Sequence, residues 1–176
     1  MEKCLIVVDF QNDFVNGSLG FSDALILEDL IYNRIKEARV NKETIIFTKD
    51  THNKNYLNTY EGTKLPVEHC IIGTTGHDLY GKIKDEVSSD DFVFNKETFP
   101  SLDLAIHLKE HNYKEIEVCG LVSNICVLSN VVMARSALPN ALITVDFNLT
   151  KSFDQDMNDK CFDILKGLLI EVKNYE

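Results

Sequence analysis

Cys126 is the first residue of this sequence whose position suggests covalent chemistry. It ends a turn that begins at Gly120 and lies at the start of a predicted helix, Ile125–Ala137. The positive end of a helix dipole lowers the pKa of a thiol, and the backbone N–H groups there can hold a developing oxyanion. Because a small free cysteine is also a common core residue, position alone leaves a nucleophile and a core thiol as alternatives.

Asp9 and Lys96 are the residues that could activate this thiol. Asp9 ends the apolar run Cys4–Val8, where a carboxylate is costly unless it is paired or has a chemical task. A nucleophilic thiol needs a base that accepts its proton and a cation that favours the thiolate, and these two residues supply both. Each follows a predicted strand, so they can meet Cys126 without being close in sequence. The alternative is a structural Asp9–Lys96 ion pair in which Cys126 takes no part.

Two histidines and two carboxylates form a second group, with the chemistry of a metal site. Asp50 and His52 lie two residues apart in an extended segment, so their side chains point to the same side. Glu61 and His69 follow in the same long loop. This donor set suits one divalent ion, zinc first, with manganese and iron as alternatives. The simpler alternative is an ordinary surface pair at Asp50 and His52.

The elements that must position these residues alternate along the chain. Short apolar runs predict strands, and stretches with apolar residues every three or four positions predict helices between them. The strands are predicted at Cys4–Val8, Thr44–Thr48, Phe92–Phe94, Ile116–Cys119, Ala141–Val145 and Leu168–Val172, and the main helices at Leu25–Ala38, Leu102–His111, Ile125–Ala137 and Gln155–Lys166. This alternation is typical of a three-layer, Rossmann-like α/β sandwich, in which helices cover both faces of a mainly parallel six-stranded sheet. No linker interrupts it, so residues 1–176 are interpreted as a single domain.

Polar residues collect where such a sheet binds its ligands. In open parallel sheets the site lies outside the carboxyl ends of the strands. Asp9, Asp50, Lys96, the turn before Cys126, and Asp146 are all predicted at those ends. The sequence therefore predicts that the thiol group and the metal group lie at the same edge.

Composition and charge restrict the partners. The 176 residues include 18 Lys+Arg and 28 Asp+Glu, a formal net charge of −10, and this field repels the phosphates of nucleic acids and anionic membranes. No apolar run approaches the ~18 residues of a membrane span, and the first residues do not form a signal peptide. Five cysteines without a pairing pattern fit reduced thiols in the cytoplasm.

Three motifs, in this order, resemble those of the isochorismatase-like cysteine hydrolases, and within them the nicotinamidases. LIVVDFQNDFVNGSL is similar to the family's first strand and loop, FNKETFPSL to its lysine segment, and CGLVSNICV to its nucleophile turn. The resemblance implies that Asp9 is the general acid and base, Lys96 the cation and Cys126 the nucleophile of an amidohydrolase. It implies hydrolysis of nicotinamide to nicotinate and ammonia through a thioester on Cys126.

The metal residues take part in the same resemblance. KDTH and LPVEHCIIGTTGHDL are similar to the metal segments of nicotinamidases. This implies that Asp50, His52 and His69 are ligands, and Glu61 falls where some members supply a further one. The metal is then expected to anchor a pyridine nitrogen and so to select the substrate.

The resemblance also implies details of the nucleophile turn and the pocket. A cis peptide bond is expected at Leu121–Val122, and the N–H groups of Val122 and Cys126 are expected to form the oxyanion hole. Phe14 and Phe99 are expected as pocket walls, because aromatic rings favour stacked or edge-to-face neighbours.

Some residues depart from the nicotinamidase pattern. Ser123 and Asn124 stand where these enzymes often carry Thr-Asp, and Phe99–Leu102 stands in place of the usual Tyr-Ser-Phe. Because these positions adjoin the pocket, another small amide, such as a carbamoyl or ureido compound, is the alternative substrate. A non-catalytic binding protein on the same scaffold is the alternative of a different class. Family members often form oligomers, so a homo-oligomer is a further expectation.

Overall fold

Six parallel strands form the sheet at the centre of the fold. The computed structural model describes residues 2–175. The strands are β1 (Lys3–Val8), β2 (Thr44–Asp50), β3 (Phe92–Lys96), β4 (Glu115–Leu121), β5 (Leu142–Lys151) and β6 (Glu171–Lys173). Their order across the sheet is β3-β2-β1-β4-β5-β6, and every neighbouring pair is parallel. The predicted six-stranded parallel sheet is confirmed.

Helices connect successive strands. They are α1 (Asn12–Val15), α2 (Ser22–Leu25), α3 (Leu27–Val40), α4 (Tyr60–Lys64), α5 (Gly81–Glu86), α6 (Leu102–His111), α7 (Leu128–Ala137) and α8 (Gln155–Gly167). A π-helical turn, Ser123–Val127, precedes α7. No helix within residues 2–175 is both long enough and apolar enough to cross a membrane.

The side chains of β1 show how the two helical layers attach to the sheet. Cys4, Ile6 and Val8 pack on one face against α6, α7 and α8, whereas Leu5 and Val7 pack on the other face against α1, α2, α3 and α5. Successive residues of a strand point to opposite faces, so an uninterrupted apolar run serves both layers. This packing confirms the predicted three-layer sandwich.

Capping side chains fix the ends of the helices that cover the sheet. The Ser101 hydroxyl accepts a hydrogen bond from the Leu104 N–H at the start of α6, and the Asp154 carboxylate accepts one from the Met157 N–H at the start of α8. Each bond satisfies a backbone donor that the helix itself leaves unpaired.

The last two strands differ from the prediction. β5 continues past Asp146 to Lys151, so Asp146 lies inside a strand and the prediction that it stands at a carboxyl end is wrong. Its carboxylate accepts hydrogen bonds from the Asn148 N–H and from the side chain of Asn174, which follows the end of β6. β6 is short, since Leu169 has a φ of 58° and turns the chain before the strand begins.

Candidate active site

Asp9, Lys96 and Cys126 meet at the carboxyl edge of the sheet. Asp9 follows β1, Lys96 ends β3 and Cys126 lies in the π-helical turn after β4. The Lys96 ammonium nitrogen is 2.6 Å from Asp9 Oδ2 and 3.6 Å from Cys126 Sγ. The three residues are at most 5% exposed. The structure therefore brings together the three residues that the sequence singled out.

Asp9 is held in an uncommon backbone conformation. Its φ is 46°, in the left-handed region, and its N–H donates to the Thr48 carbonyl at 3.1 Å. The Thr48 hydroxyl donates to Asp9 Oδ1 at 2.6 Å, which leaves Oδ2 to face Lys96. Strained conformations of this kind occur most often at functional sites, where neighbouring contacts hold them.

Burial and the neighbouring charges together shift the pKa values of the three groups. It raises the pKa of the Cys126 thiol well above its usual value, although Lys96 acts in the opposite direction. Burial also raises the pKa of the Asp9 carboxyl against the pull of Lys96. Burial alone would lower the pKa of Lys96, but Asp9, Cys126 and Asp50 outweigh it and the pKa is raised. The expected lowering of the Cys126 pKa by the helix is wrong, because complete burial of the thiol dominates.

The four predicted metal residues also converge. One ligand atom from each of Asp50, His52, Glu61 and His69 lies within 4.8 Å of all the others. Asp50 Oδ2 is 3.0 Å from His52 Nε2 and 3.2 Å from His69 Nε2, and Glu61 Oε1 is 3.8 Å from both nitrogens. His69 Nδ1 lies 2.8 Å from the Val67 carbonyl, which directs Nε2 toward the cluster. Two imidazoles and two carboxylates in this arrangement fit a single divalent ion.

Asp50 joins the metal cluster to the thiol group. Asp50 and Lys96 are paired in register on β2 and β3, and Asp50 Oδ1 lies 3.3 Å from the Lys96 ammonium nitrogen. Burial alone would raise the pKa of Asp50, but hydrogen bonds with His52 and His69, and then the Lys96 charge, leave it well below its usual value. One carboxylate thus faces the predicted metal site with one oxygen and the Lys96 ammonium with the other.

Two residues that the sequence analysis did not single out contact the predicted metal ligands. Tyr56 is fully buried, and its ring centre lies 4.6 Å from that of His52 and 4.9 Å from that of His69. The Gln11 side chain accepts a hydrogen bond from the Asp50 N–H at 2.7 Å and donates to the Asp50 carbonyl at 2.9 Å. Both residues orient groups whose direction a metal site must fix.

A cavity of about 450 Å³ opens onto both groups. Its polar end consists of Cys126 and the metal residues Asp50, Glu61 and His69. The rest of the wall is apolar or glycine: Phe14, Leu19, Gly20, Leu65, Phe99, Val122, Ile125 and Phe153. Phe14 and Phe99 line the cavity as expected, and no pattern in the sequence marks Leu65, Ile125 or Phe153 as lining residues. The volume lies within the ~300–1,000 Å³ of typical small-molecule sites.

The nucleophile turn is tightly constructed. The peptide bond Leu121–Val122 is cis, as expected, and the Val127 N–H donates to the Val122 carbonyl at 3.1 Å. Gly120 has a φ of 109°, and a Cβ atom there would lie 2.1 Å from the Val8 carbonyl oxygen. Only glycine allows β4 to approach β1 this closely just before the turn. The oxyanion role of the Val122 and Cys126 N–H groups stays a prediction.

A buried thiol, carboxylate and ammonium at the carboxyl edge of a doubly wound sheet are the groups expected of a cysteine hydrolase with an α/β fold. Within this class the chain belongs to the isochorismatase family, whose domain model matches residues 3–166. It is 32% identical over 167 residues to an uncharacterized isochorismatase family protein, PncA, of Bacillus subtilis. The alignment covers 89% of this chain and 90% of that protein.

Two solved structures show the same fold. The crystal structure of the nicotinamidase/pyrazinamidase PncA from Bacillus subtilis superposes with a TM-score of 0.88 at 26% identity, over 99% of this chain and 100% of that one. A Pyrococcus horikoshii pyrazinamidase in complex with zinc superposes with a TM-score of 0.86 at 21% identity, over 98% of both chains. The expected nicotinamidase-like branch, a group of amide-bond hydrolases, is confirmed.

Proposed function

We propose that this chain hydrolyses nicotinamide to nicotinate and ammonia. One observation carries the proposal: Cys126 and the metal residues Asp50 and His69 line the same cavity, with the Lys96 ammonium between the thiol and Asp50. A small aromatic amide would meet the thiol with its carboxamide and the metal residues with its ring nitrogen. The nicotinamidase/pyrazinamidase from Bacillus subtilis, with its closely similar fold, supports this substrate class.

The first half of the reaction forms a thioester. The Cys126 thiol passes its proton to the Asp9 carboxylate, while Lys96 stabilises the thiolate at a nitrogen–sulfur distance of 3.6 Å. The sulfur then forms a bond with the amide carbon, and the N–H groups of Val122 and Cys126 hold the resulting oxyanion. As the C–N bond breaks, Asp9 returns the proton to the nitrogen, and ammonia leaves.

The second half restores the thiol. Asp9, again ionised, takes a proton from a water molecule, and the hydroxide oxygen forms a bond with the thioester carbon. The C–S bond breaks, nicotinate leaves, and the proton on Asp9 returns to Cys126. The raised pKa of Asp9 suits this exchange, because it makes the carboxylate a stronger base toward the thiol and water protons.

Asp50, His52, Glu61 and His69 would hold the metal ion. When bound, the ion would supply a Lewis-acid contact for the lone pair of a pyridine nitrogen. Zinc is the first choice for this donor set, with manganese and iron as alternatives, and the zinc-containing Pyrococcus horikoshii structure supports zinc. Phe14, whose ring centre lies 5.6 Å from that of His69, and Phe99 would flank the substrate ring.

The deciding experiment measures ammonia release by zinc-loaded protein. Nicotinamide is compared with benzamide, which has the same shape but lacks the ring nitrogen, and Cys126→Ala protein serves as the blank. We expect release from nicotinamide, much less from benzamide, and none from the variant. Asp9→Asn should abolish release as well, because an amide side chain cannot accept the thiol proton.

The other outcomes point elsewhere. No release from nicotinamide, with fast alkylation of Cys126 alone, would exclude nicotinamide as the substrate and favour another small amide, such as a carbamoyl or ureido compound. No release and an unreactive Cys126 would favour a non-catalytic binding protein.

The proposal also includes the cellular compartment and the domain organisation of the protein. We infer a cytoplasmic protein in which residues 1–176 form one domain. All five cysteines are free and buried, which suits a reducing compartment.

A further inference from the structure

Asn130 contacts two separate parts of the active site with one side chain. It lies on α7, four residues after Cys126, and is 2% exposed. Its amide nitrogen Nδ2 donates to the Cys126 carbonyl at 2.8 Å and to the Phe99 carbonyl at 3.1 Å. Its oxygen Oδ1 accepts a hydrogen bond from the Ser101 N–H at 3.0 Å. Both ends of the buried amide are therefore satisfied by backbone groups.

These backbone groups belong to the nucleophile turn and to the segment that follows Lys96. Within residues 2–175, no hydrogen bond other than those of Asn130 joins residues 97–101 to residues 122–137. The Lys96 side chain bends back on its own segment, since its ammonium donates to the Thr98 carbonyl at 3.1 Å. Within the described residues, Asn130 is thus the hydrogen-bonded link between that segment and the nucleophile turn.

We propose that Asn130 is a positioning residue that fixes the distance between the Lys96 ammonium and the Cys126 sulfur, and holds the cavity wall at Phe99. The inference rests on the proposed thiol chemistry. A shift of about 1 Å between a reacting group and its partner can reduce a rate about 100-fold. The Lys96–Cys126 distance is 3.6 Å, and the attraction between the cation and the thiolate weakens as this distance grows.

Asn130→Asp tests the two donated bonds in a side chain of the same shape. The carboxylate keeps the acceptor for the Ser101 N–H but places an oxygen against the carbonyls of Cys126 and Phe99. These contacts become repulsive, so the two segments separate. Asn130→Ser, which is smaller and uncharged, removes the same bridge and serves if the first variant does not fold.

The readout is alkylation of Cys126 by iodoacetamide, followed by mass spectrometry of the cysteine peptides over a range of pH. We expect either Asn130 variant to slow alkylation at least 10-fold at pH 7 and to move its pH midpoint upward, because the thiolate loses its cation. Val131→Ala is the control: this fully buried neighbour on α7 weakens the same helix, but its side chain makes none of the hydrogen bonds that Asn130 makes to the two segments. It should lower the urea midpoint and leave the rate and pH profile of Cys126 unchanged.

Two results would overturn the inference and can be told apart. If Cys126 of the protein without substitutions reacts no faster than the buried Cys161, the proposed thiol chemistry is wrong, and this inference is wrong with it. If Cys126 reacts fast, but the Asn130 variants change its rate less than twofold or no more than Val131→Ala does, only the positioning role is refuted.

Discussion

Replacing Lys96 with methionine should destabilise the fold and lower the reactivity of the Cys126 thiol. Methionine keeps the length of the side chain and removes the charge. The ammonium nitrogen lies 2.6 Å from Asp9 Oδ2 and 3.3 Å from Asp50 Oδ1, and the side chain is 2% exposed. At an effective dielectric constant of ~20, these distances give gross attractions of about 6 and 5 kcal/mol. Desolvation of the charges offsets part of this, so removal of the cation should cost about 3–5 kcal/mol.

Urea unfolding at pH 7 measures this cost, with a chelator present so that no metal contributes. We expect Lys96→Met to lower the midpoint with little change in slope. The double variant Asp9→Asn/Lys96→Met should recover part of the loss, because it no longer leaves the Asp9 carboxylate buried without its partner. Alkylation of Cys126 should fall at least 10-fold in both variants.

A cost of less than about 1 kcal/mol for Lys96→Met would contradict this prediction. So would a double variant that loses more stability than the two single variants lose in sum. Either result would mean that Lys96 does not balance the buried carboxylates, and the thiolate would need another cation.

Three further predictions concern the backbone, the pH dependence and the metal. Gly120→Ala should cost about 3 kcal/mol or more in urea unfolding, because its Cβ would meet the Val8 carbonyl. Gly73, with a φ of 83°, has open space around it, so Gly73→Ala should cost only about 1 kcal/mol. Equal losses in the two variants would contradict this prediction. Burial alone would raise the pKa of Glu43, but Arg34, 2.6 Å away, leaves it below the usual 4.5. Stability should therefore fall as the pH drops below about 4.5, and Glu43→Gln should flatten this fall in acid titrations followed by circular dichroism. Zinc at 100 times its Kd should raise the unfolding free energy by about 2.7 kcal/mol, as measured by calorimetry. His69→Ala should abolish this increase. If the variant keeps the increase, the ion binds elsewhere.

The positions of the catalytic residues could be predicted because they depend on strand ends. Apolar runs mark Asp9 and Lys96 as the residues that close two strands, and parallel strands bring such ends to one edge. The same logic misplaced Asp146, since an acidic residue inside β5 has the same local pattern as one at its end. Local sequence does not show how far a strand continues when its neighbours still offer hydrogen bonds.

Other features of the site depend on tertiary packing alone. Burial raises the pKa of Cys126 well above its usual value against the pull of Lys96, and the sequence around the turn does not show this burial. Gln11 and Asn130 resemble ordinary polar residues in the sequence, and their importance lies in the backbone groups that the fold places around them. His69 lies in a long loop without periodic pattern, so its residue type alone suggested a ligand, and the family resemblance supported this role.

The strand order also determines when this site can first exist as the chain folds. β1, β2 and β3 form one half of the sheet, whereas β4 reaches β1 only after the chain has returned across the sheet. Cys126 meets Asp9 through contacts between distant parts of the sequence, and such contacts form late because closing a long loop costs entropy first. The return of thiol reactivity during refolding would therefore mark completion of the central β1–β4 pairing, so Cys126 is a natural probe for the last step of assembly.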